Sequence, residues 1–220
     1  MPLEEIINRQ GIIISAPASG AGKTTVTLGL INAFARKGSV QPFKSGPDYI
    51  DSKFQSVAAD RPSYNLDTWA MSSSDILNMI GMVGPSDICI AEGSMGLFDG
   101  VISKGAGGNG STADLASITN WPVILVVDCA KQAQSVAALI TGFNSFRHDI
   151  TIGGVILNNI SSKRHEALVV SEVSKTKVPI LGVIPRSNEL TIPERHLGLI
   201  QAEDLSLSLI HISEPTRQEA

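Results

Sequence analysis

The chain has 220 residues, 43% hydrophobic and 17% charged, a balance that excludes a disordered chain. A net charge of −4 and an isoelectric point of about 5.5 argue against a general nucleic-acid footprint. No run of about 18 apolar residues is present to span a membrane, and the acidic, polar start MPLEEIINRQ lacks the apolar stretch of a secretory signal. One α/β domain in the cytoplasm, independent of membranes and nucleic acids, is therefore expected.

In chain order, Ile12-Ile13-Ile14 reads as a buried strand that breaks into a small-residue loop ending in Gly22-Lys23-Thr24-Thr25. Residues 26–37 follow with helical spacing of Val26, Leu30, Ala33 and Phe34, and Lys37 and Gly38 are stop signals. Residues 40–43 read as a short strand containing Pro42, and residues 75–82 as a helix opened by Ser72, Ser73 and Ser74. Apolar runs at 88–91 and 123–127 are strand candidates, followed by a helix at 132–146, a strand at 155–157, a helix at 162–174 and a last strand at 180–184. Repeated β-α alternation predicts an α/β fold, a mainly parallel sheet with helices on both faces, and the loop ending in Gly-Lys-Thr makes it one of the P-loop type. Ligands of such sheets sit beyond the carboxyl ends of the strands. The stretch GAGGNG at 105–110 reads as a mobile loop or a lid. Cys89 and Cys129 belong to apolar strand-like runs and read as packed thiols, not a disulfide pair.

Strand, glycine-rich loop and helix in succession are the context of a phosphate-binding loop. Backbone N–H groups of Ser19, Gly20, Ala21, Gly22, Lys23, Thr24 and Thr25 would converge where the helix dipole also favours an anion. Lys23 would reach the β- and γ-phosphates of a nucleotide, and the Thr24 hydroxyl would ligate Mg²⁺. Pro17 stands where the full motif has glycine; it fixes φ and has no N–H to donate, so the first turn of the loop must differ. The plainer alternative is a turn that ends in Gly-Lys-Thr.

Beyond the second strand, FKSGPDYID offers Lys44, Asp48 and Asp51 at the same sheet edge. A carboxylate there can ligate Mg²⁺, and a lysine can steady a phosphoryl group or an anionic substrate. The alternative is a Gly-Pro turn with solvated charges. Glu92 ends the strand 88–91 and leads into AEGSMGLFDG, with Asp99 seven residues on. A carboxylate at a strand end facing a phosphate loop is where a nucleotide's metal needs a ligand; a strand-capping Glu and an exposed loop Asp are the alternatives. Asp128 ends a strand that resembles a Walker B, and serves either the metal's water or a helix N-cap. Asn158 carries both a donor and an acceptor for an adenine edge, or shapes the Asn158-Asn159 turn.

Taken together, SAPASGAGKTTVTLGL, QPFKSGPDYID, NLDTWAM, AEGSMGLFDG, GSTADLA, GVILNNISSKRHE and IPERHLGL resemble the cobyrinic acid a,c-diamide synthases, of the dethiobiotin-synthetase-like P-loop amidotransferases. The likeness runs from about Gly11 to Glu203, and loops of that family also lack the first glycine. It implies ATP-dependent amidation of the a and c acetate side chains of a corrin, with nitrogen from glutamine or ammonia. It implies that Gly20, Gly22, Lys23 and Thr24 hold ATP, and that Thr24, Asp48 and Glu92 hold Mg²⁺. Lys44, Asp51 and Asp99 would then serve substrate positioning and phosphoryl transfer. A relative that amidates nickel sirohydrochlorin shares these motifs, and a homodimer is open as the assembly.

Residues 1–204 are expected to form the synthetase domain. Family members carry a C-terminal glutaminase domain that this chain is expected to lack, and residues 205–220 read as a non-family tail, even an artefactual one. Two rivals share the fold. A MinD/ParA-like ATPase would carry a signature lysine where this chain has Ala18, and dethiobiotin synthetase lacks the GPDYID and PERHLGL stretches.

Overall fold

A computed structural model of the chain describes residues 9–187. The IPERHLGL motif, the boundary at 204 and the 205–220 tail lie outside those residues. Seven strands alternate with helices: β1 (Gly11–Ser15), α1 (Lys23–Ala35), β2 (Val40–Ser45), α2 (Tyr49–Ala59), β3 (Tyr64–Leu66), α3 (Ser73–Met82), β4 (Ile88–Glu92), α4 (Thr112–Thr119), β5 (Val123–Asp128), α5 (Ser135–Phe146), β6 (Ile152–Ile160), α6 (Lys163–Val173) and β7 (Ile180–Pro185). The sheet order is β3-β2-β4-β1-β5-β6-β7, and every neighbouring pair is parallel.

Side chains alternate between the two faces of a strand, so each interior strand feeds two cores. Ile13, Cys89, Ala91, Val123, Leu125 and Val127 join one core with residues of α3, α4, α5 and α6. Ile14, Ile90, Ile124 and Val126 join the other with Val26, Leu28 and Ile31 of α1 and Ala58 of α2. Each fully buried Ile or Leu contributes about 1.5–3 kcal/mol relative to exposure. The helices therefore cover both faces, as the β-α alternation implies.

Several elements differ from the sequence reading. The first helix starts at Lys23, because Gly22 takes the left-handed conformation that turns the loop into the helix. A helix that the sequence reading did not anticipate, α2, begins just after Gly46-Pro47, with Asp48 as its N-cap accepting from the Ile50 and Asp51 N–H groups. Strand β3 and helix α4 were not anticipated; β3 has three residues and takes its order from pairing with β2. Pro42 is tolerated inside β2 because β3 pairing begins only at Phe43. The 105–110 stretch is not a free lid. The Ala106 N–H donates to the Trp69 carbonyl at 2.8 Å and the Gly107 N–H to that of Thr68 at 3.0 Å. A Cβ on Gly105 would overlap the Trp69 backbone, so glycine serves close docking there. No helix among the described residues is long and apolar enough to cross a membrane.

Candidate active site

Sheet register assembles the site. Glu92, the last residue of β4, pairs with Ile14 of β1 on one side and Lys44 of β2 on the other. The phosphate loop leaves β1 one residue later, so Lys23, Thr24, Lys44 and Glu92 meet beyond the carboxyl ends of three adjacent strands.

The loop has the geometry its glycines require. Gly20 and Gly22 have φ of 78° and 92°, and a Cβ at Gly22 would overlap the Asn158 amide. That amide donates to the Ala21 carbonyl at 2.9 Å. Asn158 therefore braces the phosphate loop in this structure, where the sequence offered base reading or a turn. Pro17 is backed by the β4–α4 connection: a Cβ on Gly96 would come within 2.6 Å of its carbonyl oxygen. Ser19 lies at the exposed tip and Thr25 is half-buried in the first turn of α1.

Four charged side chains converge below the loop. The Lys44 ammonium lies 2.8 Å from Asp51 Oδ2 and 3.2 Å from Glu92 Oε1, with all three groups largely buried. Burial works against the Lys44 charge, but Glu92 and Asp51 outweigh it and hold the ammonium above its ordinary value. Lys23 donates to the Met95 carbonyl, and Met95 adopts a left-handed φ of 49° that turns this carbonyl toward the loop. Burial lowers the Lys23 value, partly offset by Glu92, while Lys44 lowers it further. Asp99 adds a weaker attraction to Lys23 and accepts the Gly96 N–H at 2.9 Å, which shapes the 96–99 turn.

The Thr24 hydroxyl donates to Glu92 Oε1 at 2.7 Å. These two oxygens lie close enough to share one cation. An all-oxygen set with one carboxylate fits Mg²⁺, which keeps several waters and takes further oxygens from a nucleotide's phosphates. Of the expected metal set, Thr24 and Glu92 are in contact, whereas Asp48 spends Oδ1 on capping α2. Asp128 accepts from the Ala130 N–H and from the Asn159 amide, and so braces the turn after β5. Asp128 is not the N-cap of helix α5, whose N-cap position is held by Gln134 without a side-chain capping bond.

Sequence reading missed Gln55 and the Met95 carbonyl. Gln55 is fully buried and donates to Glu92 Oε2 at 2.8 Å. Asp51 and Gln55 are four apart, so reading α2 as a helix would have put them on one face. A concavity of about 300 Å³ lined by Pro47, Asp48, Tyr49, Ile50 and Ser94 opens beside the charged cluster. A larger one of about 530 Å³ lies between the 105–109 loop, Asp114 and Arg147; the smaller is the one whose lining adjoins the site, since Asp48 caps the helix that carries Asp51 and Ser94 follows Glu92 by two residues.

The family model of the CobQ/CobB/MinD/ParA nucleotide binding domain matches residues 12–200. The chain belongs to this family. A hydrogenobyrinate a,c-diamide synthase of Rhodobacter capsulatus is 48% identical over 196 residues, 89% of this chain and 45% of the relative. The enzyme of the same name from Brucella ovis is 50% identical over 198 residues, 89% of this chain and 44% of the relative. The chain thus spans a little under half the length of the curated relatives it matches. Among solved structures, the MinC:MinD cell division complex of Aquifex aeolicus matches with a TM-score of 0.56 at 16% identity, over 82% of each chain. The hydrogenase maturation factor HypB from Archaeoglobus fulgidus matches with a TM-score of 0.52 at 11% identity, over 83% of this chain and 84% of that one. At these identities the likeness establishes the P-loop α/β fold and nothing more.

Proposed function

We propose that the chain is the ATP-dependent amidating part of an a,c-diamide synthase, acting on the a and c acetate carboxylates of a corrin acid. The observation that carries this is the contact of Thr24 with Glu92 beneath the phosphate loop, flanked by the two buried lysines, Lys23 and Lys44. The names of relatives at about half identity point to hydrogenobyrinate as the substrate to try first.

A carboxylate resists ammonia because hydroxide is a poor leaving group. In the proposed reaction, a substrate carboxylate oxygen attacks the γ-phosphorus of ATP and the bond to the β-bridging oxygen breaks, with ADP leaving. Ammonia then adds its lone pair to the acyl carbon. The C–O bond to phosphate breaks, phosphate leaves with that electron pair, and the nitrogen loses a proton. Lys23 would leave the Met95 carbonyl to hold the β- and γ-phosphates. Thr24 and Glu92 would hold Mg²⁺, which supplies charge neutralisation for the phosphates. Lys44 is a fixed positive charge for the transferring group, kept in place by Asp51. Asp48 and the concavity beside it would face the incoming carboxylate. Positioning and electrostatics suffice, since no protein nucleophile is required.

The test is amidation of hydrogenobyrinate by the purified chain with ATP and Mg²⁺, supplied with either ammonium at high pH or glutamine at neutral pH. Two new amides from ammonium and none from glutamine are expected. Glutamine hydrolysis needs an activated nucleophile, and both cysteines are buried. Burial, aided by Asp128, pushes the Cys129 thiol up to about 11, and burial also raises that of Cys89. Absence of ATP-dependent product with ammonium would overturn the proposal.

A further inference from the structure

We infer that Gln55 is a positioning residue that fixes Glu92 as a one-oxygen cation ligand, an inference that rests on the proposed Mg·ATP role of the Thr24–Glu92 pair. Gln55 lies on the second turn of α2 and its side chain is fully buried. Its Nε2 donates to Glu92 Oε2 at 2.8 Å, while its Oε1 accepts the Ser63 hydroxyl at 2.9 Å. The Ser63 N–H in turn donates to Ser56 Oγ at 2.8 Å. This chain of partners fixes the amide's orientation, because the reversed amide would set oxygen against carboxylate oxygen.

The two oxygens of Glu92 therefore face different ways. Oε1 takes the Thr24 hydroxyl at 2.7 Å and the Lys44 ammonium at 3.2 Å. Oε2 is tethered from behind by Gln55. Turning Glu92 to grip a cation with both oxygens would break that tether and leave a buried amide donor unpaired, which is costly. Mg²⁺ demands near-octahedral geometry with short bonds and keeps waters, so one well-aimed oxygen suits it. A larger cation that accepts two-oxygen carboxylates would gain less. The amide is also neutral. It orients Glu92 without disturbing the balance of two buried carboxylates, Asp51 and Glu92, against two buried ammonium groups, Lys23 and Lys44. Partners of this kind typically change metal affinity by about 10–100-fold when removed.

The test uses the whole chain and a fluorescent ATP analogue, mantATP, titrated first without Mg²⁺ and then with it. Gln55→Met keeps the length and removes the donor; Gln55→His supplies a ring N–H of similar reach. The Met variant is expected to bind mantATP normally without Mg²⁺ and to need about 10–100-fold more Mg²⁺ for half-maximal enhancement. The His variant is expected to return most of the way to the wild-type requirement. A Met variant with the wild-type Mg²⁺ requirement, or a His variant no better than Met, overturns the inference. Should Gln55→Met not fold, the His variant decides alone: a Mg²⁺ requirement within about threefold of wild type supports the role, and one raised by about tenfold or more overturns it. Failure of the wild-type chain to bind mantATP at all, with or without Mg²⁺, would instead sink the proposed function and this inference with it.

Discussion

Lys23 and Lys44 are both buried ammonium groups, yet they are held differently. Lys44 has two carboxylates and is fixed, whereas Lys23 rests on a single backbone carbonyl, that of Met95. An ammonium whose resting partner is neutral exchanges it readily for phosphate oxygens. Lys23→Ala is therefore expected to weaken ATP binding by at least about tenfold, the loss of one charge-assisted hydrogen bond, with little change in thermal stability. Isothermal calorimetry measures it, and unchanged affinity would remove Lys23 from the phosphate site. Lys23, Thr24 and Glu92 were legible in the sequence because each is tied to a local pattern, a loop motif or a strand end. Gln55 and the Met95 carbonyl were not, because their roles arise only where α2 and the β4–α4 connection fold over the loop. Asn158 was legible as a residue of the site, but its bond to Ala21 depends on β6 lying two strands from β1.

Among the elements, the long apolar strands and the helices α1, α3, α5 and α6 followed from period and boundary signals, whereas α4 did not although Ser111 caps it. Ser72 makes a capping box with Asp75, and the helix begins where that signal stands. Helix α2 was missed even though Asp48 is a good N-cap residue, because Gly46-Pro47-Asp48 reads equally well as a turn. Strand β3 is too short for any period to show. The glycine-rich stretch misled in a different way: glycine permits motion, but it also permits close docking, and only the Trp69 and Thr68 carbonyls distinguish the two. Gly105→Ala is expected to cost about 1–3 kcal/mol through overlap with the Trp69 backbone, read as a lower midpoint in urea, while ATP affinity stays near wild type. An unchanged midpoint would mean that the loop is not docked as described.

For the molecule as a whole, the Lys44–Asp51–Glu92 cluster ties β2, α2 and β4 together at one sheet edge. Lys44→Met would leave two buried carboxylates without their cation and is expected to cost about 3–5 kcal/mol at neutral pH. The pH dependence has a definite sign. Lys44 is held above its ordinary value of 10.5, so its stabilisation is fully present below that pH and is lost as pH rises through the still higher folded value. Lys23 is lowered and acts in the opposite sense. The difference between wild type and Lys44→Met carries the Lys44 contribution together with its coupling to Lys23, and should hold from about pH 7 to about pH 10 and shrink above it. A difference that grows with pH would contradict the arrangement. The cluster serves, in the proposed reaction, to carry a phosphoryl group onto a substrate carboxylate, and isotope transfer tests this most directly. Hydrogenobyrinate labelled with ¹⁸O in its acetate carboxylates is incubated with the chain, ATP, Mg²⁺ and ammonium. If the carboxylate is phosphorylated, the released phosphate carries one labelled oxygen for each amide formed. Amide formation with unlabelled phosphate would contradict phosphoryl transfer to the substrate.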